Sequence, residues 1–184
     1  MIIGLAGKKQ SGKTSLAHHL IEEYGFVEYS WALPLKETCK NLFGLTEEQV
    51  YGTEEDKEAI IPEWNMSARD ILQKVGTEMF RGMICRDFWV KVGMKNLVKL
   101  KDAGYDIVIS DCRFPNELEA VQKLGGYTGH VVRIGQVSTD SHTSETALDN
   151  WTDYSFIFEA VSGDLGALYA QAAVYITPLL ERDN

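Results

Sequence analysis

The sequence predicts an α/β fold, a doubly wound and mostly parallel sheet that carries a helical substrate-binding insertion. Three observations predict it. A short apolar run, residues 1–6, leads into a glycine-rich loop and then into a segment of helical period. Short apolar strands alternate with amphipathic helical stretches along the whole chain. Between the second strand and the one that ends at Asp111 lies a mainly helical excursion, longer than a simple crossover needs. A chain of 184 residues suits one domain, 1–184, with a core over about 1–45 and 104–184 and the insertion over about 46–103.

The first strand delivers the chain to Gly7-Lys8-Lys9-Gln10-Ser11-Gly12-Lys13-Thr14, which matches G-x-x-x-x-G-K-[ST] at every defined position. Strand, glycine loop and helix are the order that phosphate binding requires. Glycines let successive backbone N–H groups turn inward around phosphate oxygens, and the following helix adds its positive end. Leu16, Ala17, Leu20, Ile21 and Tyr24 give that helix its apolar face. Lys13 is placed to reach the outer phosphates of a bound ligand, and the Thr14 hydroxyl to hold Mg2+.

Gly25 ends the helix, and residues 26–31 read as a second strand. Pro34 suits the first turn of a helix that runs to Phe43 and stops at Gly44, with Lys36 in that turn. Residues 46–66 are the least regular, and Glu54, Glu55, Asp56 and Glu58 read as a solvated acidic run. Ser67 to Asp70 fits the S-x-x-D start of a helix whose apolar face is Ile71, Leu72, Val75, Met79 and Phe80. Asp87 opens another helix that reaches Gly104. Residues 105–110 form a buried strand ending at Asp111, where open α/β sheets bind ligands and where a magnesium-side carboxylate is expected. A helix after Pro115, a strand over 130–134, a polar loop over 135–150, a strand over 154–158 and a closing helix over 164–180 complete the pattern.

Composition excludes several classes. The formal net charge of −9 argues against a nucleic-acid polymer or an anionic membrane as partner, while a few converging cations still suffice for a nucleotide. Cys39, Cys85 and Cys112 are scattered, form no C-x-x-C pair and read as reduced thiols. No apolar run approaches the length of a membrane span, so a cytoplasmic protein is expected. Arg69, Arg81 and Arg86, half of the arginines, lie in the excursion. Arginine suits planar, bidentate phosphate recognition, so the excursion is expected to supply a second phosphate site facing the first.

The Gly4-to-Thr14 opening, Pro34-Leu35-Lys36, Gly76-Thr77-Glu78 with Arg81, Asp111-Cys112-Arg113-Phe114-Pro115-Asn116-Glu117 and His142-Thr143-Ser144-Glu145 recur in order over nearly the whole length. Together they resemble the tailed-phage deoxynucleoside monophosphate kinases. That resemblance implies the P-loop nucleoside monophosphate kinase fold and transfer of the ATP γ-phosphoryl group to a deoxynucleoside monophosphate. It also implies a magnesium requirement, a homodimer, and, if the chain is phage-encoded, work in the host cytoplasm. Lys36, Arg69, Gln73, Arg81 and Arg86 would then hold the acceptor, with Gln73 or Trp64 at its base.

Two departures stand out. The family usually has Asp before Pro-Leu-Lys, where this chain has Leu33. The family often carries an arginine after the strand ending near Ile134, where this chain has Gly135-Gln136 and no Lys or Arg between Arg133 and Arg182. Arg113, two residues beyond Asp111, is the best replacement, with Arg133 second. Two alternatives stay open: an animal-type phosphomevalonate kinase, which shares the P-loop, the Pro34-to-Glu37 step and something like Leu148-Asp149-Asn150, and a nucleotide-binding assembly factor without turnover.

Overall fold

The computed structural model describes residues 1–137 and 141–181. Part of the expected 135–150 loop, and Arg182, lie outside them. Two units are present, one formed by residues 1–31 and 94–184, the other by Ala32–Gly93.

In the first unit, β1 (Ile2–Ala6) is buried at every position because it lies at the middle of the sheet. It leads through the P-loop into α1 (Lys13–Tyr24), which Gly25 ends in the left-handed conformation. β2 (Val27–Tyr29) follows. After the inserted unit come β5 (Ile107–Cys112), α7 (Pro115–Lys123), β6 (Tyr127–Arg133), the four-residue α8 (Thr143–Thr146), β7 (Phe156–Ala160) and α9 (Leu165–Leu180). The strand order is β2-β5-β1-β6-β7 and every pairing is parallel. From β1 the chain builds first toward β2 and β5 and later toward β6 and β7. The loop after β1 therefore sits at the switch point, the crevice where such sheets bind ligands.

One face of the sheet is closed by α1 and α9, where Leu16, Leu20, Leu168 and Ile176 pack on Ile3, Leu5, Val108 and Phe158. On the opposite face Gly4 faces Val121 of α7 and Cys112, so closely that a Cβ would lie 3.0 Å and 3.1 Å from them. Gly4 pairs with Ile109, but Ala6, two residues on, pairs with Cys112. One extra residue is thus accommodated in β5 next to Asp111. Such a bulge resets the side-chain alternation at the end of a strand. β6 begins three residues earlier than the sequence suggests. Gly129 hides the strand signal, yet it is required there: a Cβ would meet the Phe158 ring at 2.8 Å.

The inserted unit opens with α2 (Leu33–Phe43), followed by the short α3 (Glu47–Tyr51) and α4 (Glu54–Glu58), the β3–β4 hairpin (Ile60–Ile61, Met66–Ser67) and α5 (Ala68–Gln73). It starts ahead of the expected residue 46 because Leu35 and Cys39 of α2 pack with Ile71 and Val75. The expected capping box forms in full: Asp70 N–H donates to Ser67 Oγ at 3.1 Å and Ser67 N–H to the Asp70 carboxylate at 3.0 Å. The helix does not continue in α form. Residues Lys74–Ile84 are a π-helix, and Cys85 N–H donates to the carbonyl of Phe80, five residues back. The buried Trp89 indole donates to the Gly76 carbonyl at 2.9 Å, taking an oxygen that an α ladder would use. α6 (Phe88–Asp102) then leads back to the sheet. Among the described residues no helix is long and apolar enough to cross a membrane.

Candidate active site

The P-loop has the backbone its sequence demands. Gly7, Gln10 and Gly12 have φ of +146°, +61° and +106°, a region that costs a β-carbon-bearing residue energy. At Gly7 the constraint is also steric, since a Cβ would lie 2.3 Å from the carbonyl oxygen of Val131 in the neighbouring strand. Ser11 N–H donates back to the Lys8 carbonyl at 3.1 Å. The Ser11 hydroxyl is buried and makes no hydrogen bond among the described residues. α1 begins at Lys13 behind Gly12, with no side-chain cap and no acidic residue in its first turn. Its positive end is left to an external anion. Thr14, in that turn, is exposed.

Lys13 is buried, and its ammonium donates to the carbonyls of Gly7 and Lys8, each at 2.7 Å. Burial pushes its pKa down from 10.5 to about 7. The Arg113 charge adds to that push, while Asp111 and Cys112 oppose it. Asp111 is oriented from the segment that follows β2: Ser30 Oγ donates to one carboxylate oxygen at 2.7 Å and the Trp31 N–H to the other at 3.0 Å. Because Ala6 and Cys112 are partners in the sheet, Asp111 stands beside the start of the P-loop.

Arg113 follows, with its backbone N–H on the buried Glu117 carboxylate at 2.7 Å and its guanidinium paired with Glu145. The other Glu145 oxygen accepts the Lys9 N–H at 3.3 Å, and its carbonyl accepts the Lys8 ammonium at 2.7 Å. Asp149 pairs with the same ammonium, and Gln136 donates to the Lys9 carbonyl at 2.6 Å. These segments enclose a cavity of about 310 Å³ between the P-loop, the ends of β5 and β6, and residues 144–154. His130 and Tyr154 stack in its wall with ring centres 4.6 Å apart. Burial lowers the pKa of that histidine and keeps it neutral at pH 7, while it raises the Tyr154 hydroxyl to about 12. Arg133, the second candidate for the missing cation, also lines this cavity.

The inserted unit holds the other residues expected from the sequence. Lys36 lies over the Tyr51 ring, 4.4 Å from its centre. Arg69 pairs with Glu54 and, at 3.6 Å, with Glu58. The acidic run is therefore a capped helix that holds an arginine, not merely solvated surface. Gln73 is the last residue of α5 and half-buried. Arg81 donates to the carbonyl of Arg86 at 3.1 Å, and Arg86 itself is exposed. Trp64 belongs elsewhere: its indole donates to the Phe43 carbonyl at 3.0 Å and its ring packs on Phe43 and the core of this unit. It is half-buried against that core, with its indole N–H already engaged.

Comparison with known proteins bears on this arrangement. The family model described as deoxynucleotide monophosphate kinase matches residues 44–171. A candidate deoxynucleotide monophosphate kinase of Acanthamoeba polyphaga mimivirus is 39% identical over 170 residues, 85% of this chain and 86% of that protein. The chain belongs to the deoxynucleotide monophosphate kinase family. The deoxynucleotide monophosphate kinase of Enterobacteria phage T4 is 24% identical over 212 residues, covering 80% of this chain and 87% of its own. Crystal structures of a Thermus thermophilus protein and of a candidate kinase of Chloroflexus aurantiacus superpose with TM-scores of 0.53 at 14% and 13% identity. They cover 98% and 100% of this chain, and 97% of each of theirs, and show the shared fold.

For a member of this kinase family, Glu145 is the residue to which sequence reasoning assigns no role. The His142-to-Glu145 motif is legible, but its role depends on contacts with Lys9 and Arg113, far away in the chain. Gln136 and Asp149 are visible in the sequence but their contacts with Lys9 and Lys8 are not, for the same reason. Ser30, which orients Asp111, has no distinguishing signal.

Proposed function

We propose that the chain transfers the γ-phosphoryl group of ATP to the phosphate of a deoxynucleoside monophosphate, giving the diphosphate and ADP. The observation that carries this reading is the convergence of Lys13, Asp111 and Arg113 on a P-loop in a chain of this family. Phosphoryl transfer asks a protein for little covalent chemistry. It needs two substrates in line, water excluded, and cations where charge spreads in the transition state. Lys13 would leave the Gly7 and Lys8 carbonyls for the donor phosphates, and the loop N–H groups would hold their oxygens. Arg113 would face the transferred group. Lys36, Arg69, Gln73, Arg81 and Arg86 would bind the acceptor, for which Arg69 must exchange a carboxylate partner for a phosphate.

A magnesium ion fits the donor set. Thr14 supplies a hydroxyl and Asp111 a carboxylate already oriented by Ser30 and Trp31, and Mg2+ takes such hard oxygens with water and phosphate rather than a protein cage. Bound there, the ion would screen the charge of the phosphoryl oxygens. The resemblance also supports a homodimer, which sedimentation equilibrium tests, and viral relatives support action in the host cytoplasm.

A coupled ADP-release assay over a panel of monophosphates tests the reading. With ATP and Mg2+, ADP release should depend on an added deoxynucleoside monophosphate. No stimulation by any of them, with ATP binding intact, would sink it.

A further inference from the structure

We infer that Glu145 positions Arg113 for phosphoryl transfer by tying its guanidinium to the backbone of the phosphate loop. The inference rests on the reading above, in which Arg113 is the cation of the transfer step.

Glu145 is the buried member of its ion pair, with its side chain 2% exposed against 37% for Arg113. The two carboxylate oxygens are used separately. One pairs with Arg113, and the other accepts the Lys9 N–H of the P-loop at 3.3 Å. The Glu145 carbonyl accepts the Lys8 ammonium as well. One residue thus joins the phosphate loop to the segment that leaves β5, two parts of the site that no local sequence connects.

Burying a carboxylate costs more than a salt bridge usually returns, so the pair is a poor device for stability alone. It is a good device for orientation, because a guanidinium is a rigid planar fork that a fixed carboxylate can aim. The surroundings favour that use. The Arg113 charge is felt by the Lys13 ammonium, so two cations converge on one loop. Such convergence is unfavourable by itself and favourable around a polyphosphate. A free arginine side chain would populate many rotamers and lose that entropy in every turnover, and misplacing a reacting group by an ångström can cost about a hundredfold in rate.

The test uses the full chain as wild type, Glu145→Gln, Arg113→Ala and the double variant. Each is measured for kcat, both KM values and Tm. Glu145→Gln keeps the size of the side chain and an oxygen for the Lys9 N–H but removes the charge. It should lower kcat about tenfold or more with both KM values within about threefold, the pattern of an interaction made in the transition state. The double variant should be no slower than Arg113→Ala alone, because Glu145 acts through Arg113. Added guanidinium should restore part of kcat to Arg113→Ala, and much less to the double variant. Losses of kcat that multiply in the double variant, or a Glu145→Gln effect confined to Tm, overturn the inference while leaving Arg113 in its role. A normal kcat in Arg113→Ala overturns the role of Arg113 and the inference with it. If Glu145→Gln does not fold, Glu145→Asp, which keeps the charge and retracts it by one methylene, is judged by the same criteria.

Discussion

The Lys13 ammonium lies 2.7 Å from the carbonyl oxygen of Gly7, so the lysine near the end of the phosphate loop is bonded to the residue that opens it. Burial and the Arg113 charge hold the Lys13 pKa near 7. At pH 8 the amine of the ligand-free enzyme is therefore mostly neutral, and a bound polyphosphate favours its charged form. ATP binding at pH 8 should take up a proton, to a limit of about one per site. Calorimetry in two buffers of different ionisation heat reads this directly. A binding enthalpy that does not change with the buffer would count against it.

The same shift fixes a sign for stability. The folded value, about 7, lies below the unfolded 10.5, so between these pH values the unfolded chain binds the extra proton. The Lys13 contribution therefore makes the ligand-free protein more stable as pH rises through that window, and below about pH 7 its penalty is fully present. Lys13→Met should flatten this part of the pH–Tm curve. The Ala variant should fold as well, and lose about a hundredfold or more in kcat as the clamp on the transferred group disappears. Near-normal turnover in Lys13→Ala would remove the P-loop assignment.

Gly7→Ala probes the loop backbone. The added Cβ meets the Val131 carbonyl at 2.3 Å and the φ of +146° is hostile to it. Strain of about 1–3 kcal/mol should lower Tm by roughly 2–10 °C and weaken ATP binding with it. An unchanged Tm would show that the loop does not run against β6.

Asp111→Asn retains one carbonyl-type acceptor for Ser30 or Trp31 while removing the charge. It should leave the circular dichroism spectrum unchanged, raise the Mg2+ concentration needed for half-maximal rate, and lower kcat about a hundredfold. A magnesium titration decides: an unshifted midpoint would leave Asp111 as a strand-end brace.

Arg69→Ala separates binding from bracing. Its pairs with Glu54 and Glu58 are partly exposed, so their loss should cost at most about 1 kcal/mol. If Arg69 binds the acceptor phosphate, KM for the monophosphate should rise about tenfold or more while KM for ATP stays put. A lowered Tm with both KM values unchanged would assign Arg69 to α4 alone.

The parts legible in the sequence are those in which neighbours determine one another. The strand, glycine loop and helix of residues 1–24 are local, and so is the Ser67–Asp70 box, whose four residues carry both hydrogen bonds. The unexpected parts depend on distant partners. The helix after Gln73 is a π-helix where Trp89 takes the Gly76 carbonyl, and apolar periodicity alone cannot register that. Arg69 reads as a phosphate ligand as long as Glu54 and Glu58 read as surface. In the site, Lys13, Asp111 and Arg113 stand out by motif, whereas Glu145 acquires a role only once β5 and the P-loop are side by side.

The bulge beside Asp111 makes length itself a property of the active site. β1 advances two residues from Gly4 to Ala6 while β5 advances three from Ile109 to Cys112. A chain one residue shorter there would form a smoother sheet, yet every side chain from Asp111 onward would be reassigned. The carboxylate would leave the Trp31 amide, and Arg113 would start from a different place. Substitutions at Ser110 can be absorbed by degrees, but a deletion acts all at once. At Ser110, then, the chain can change its letter but not its count.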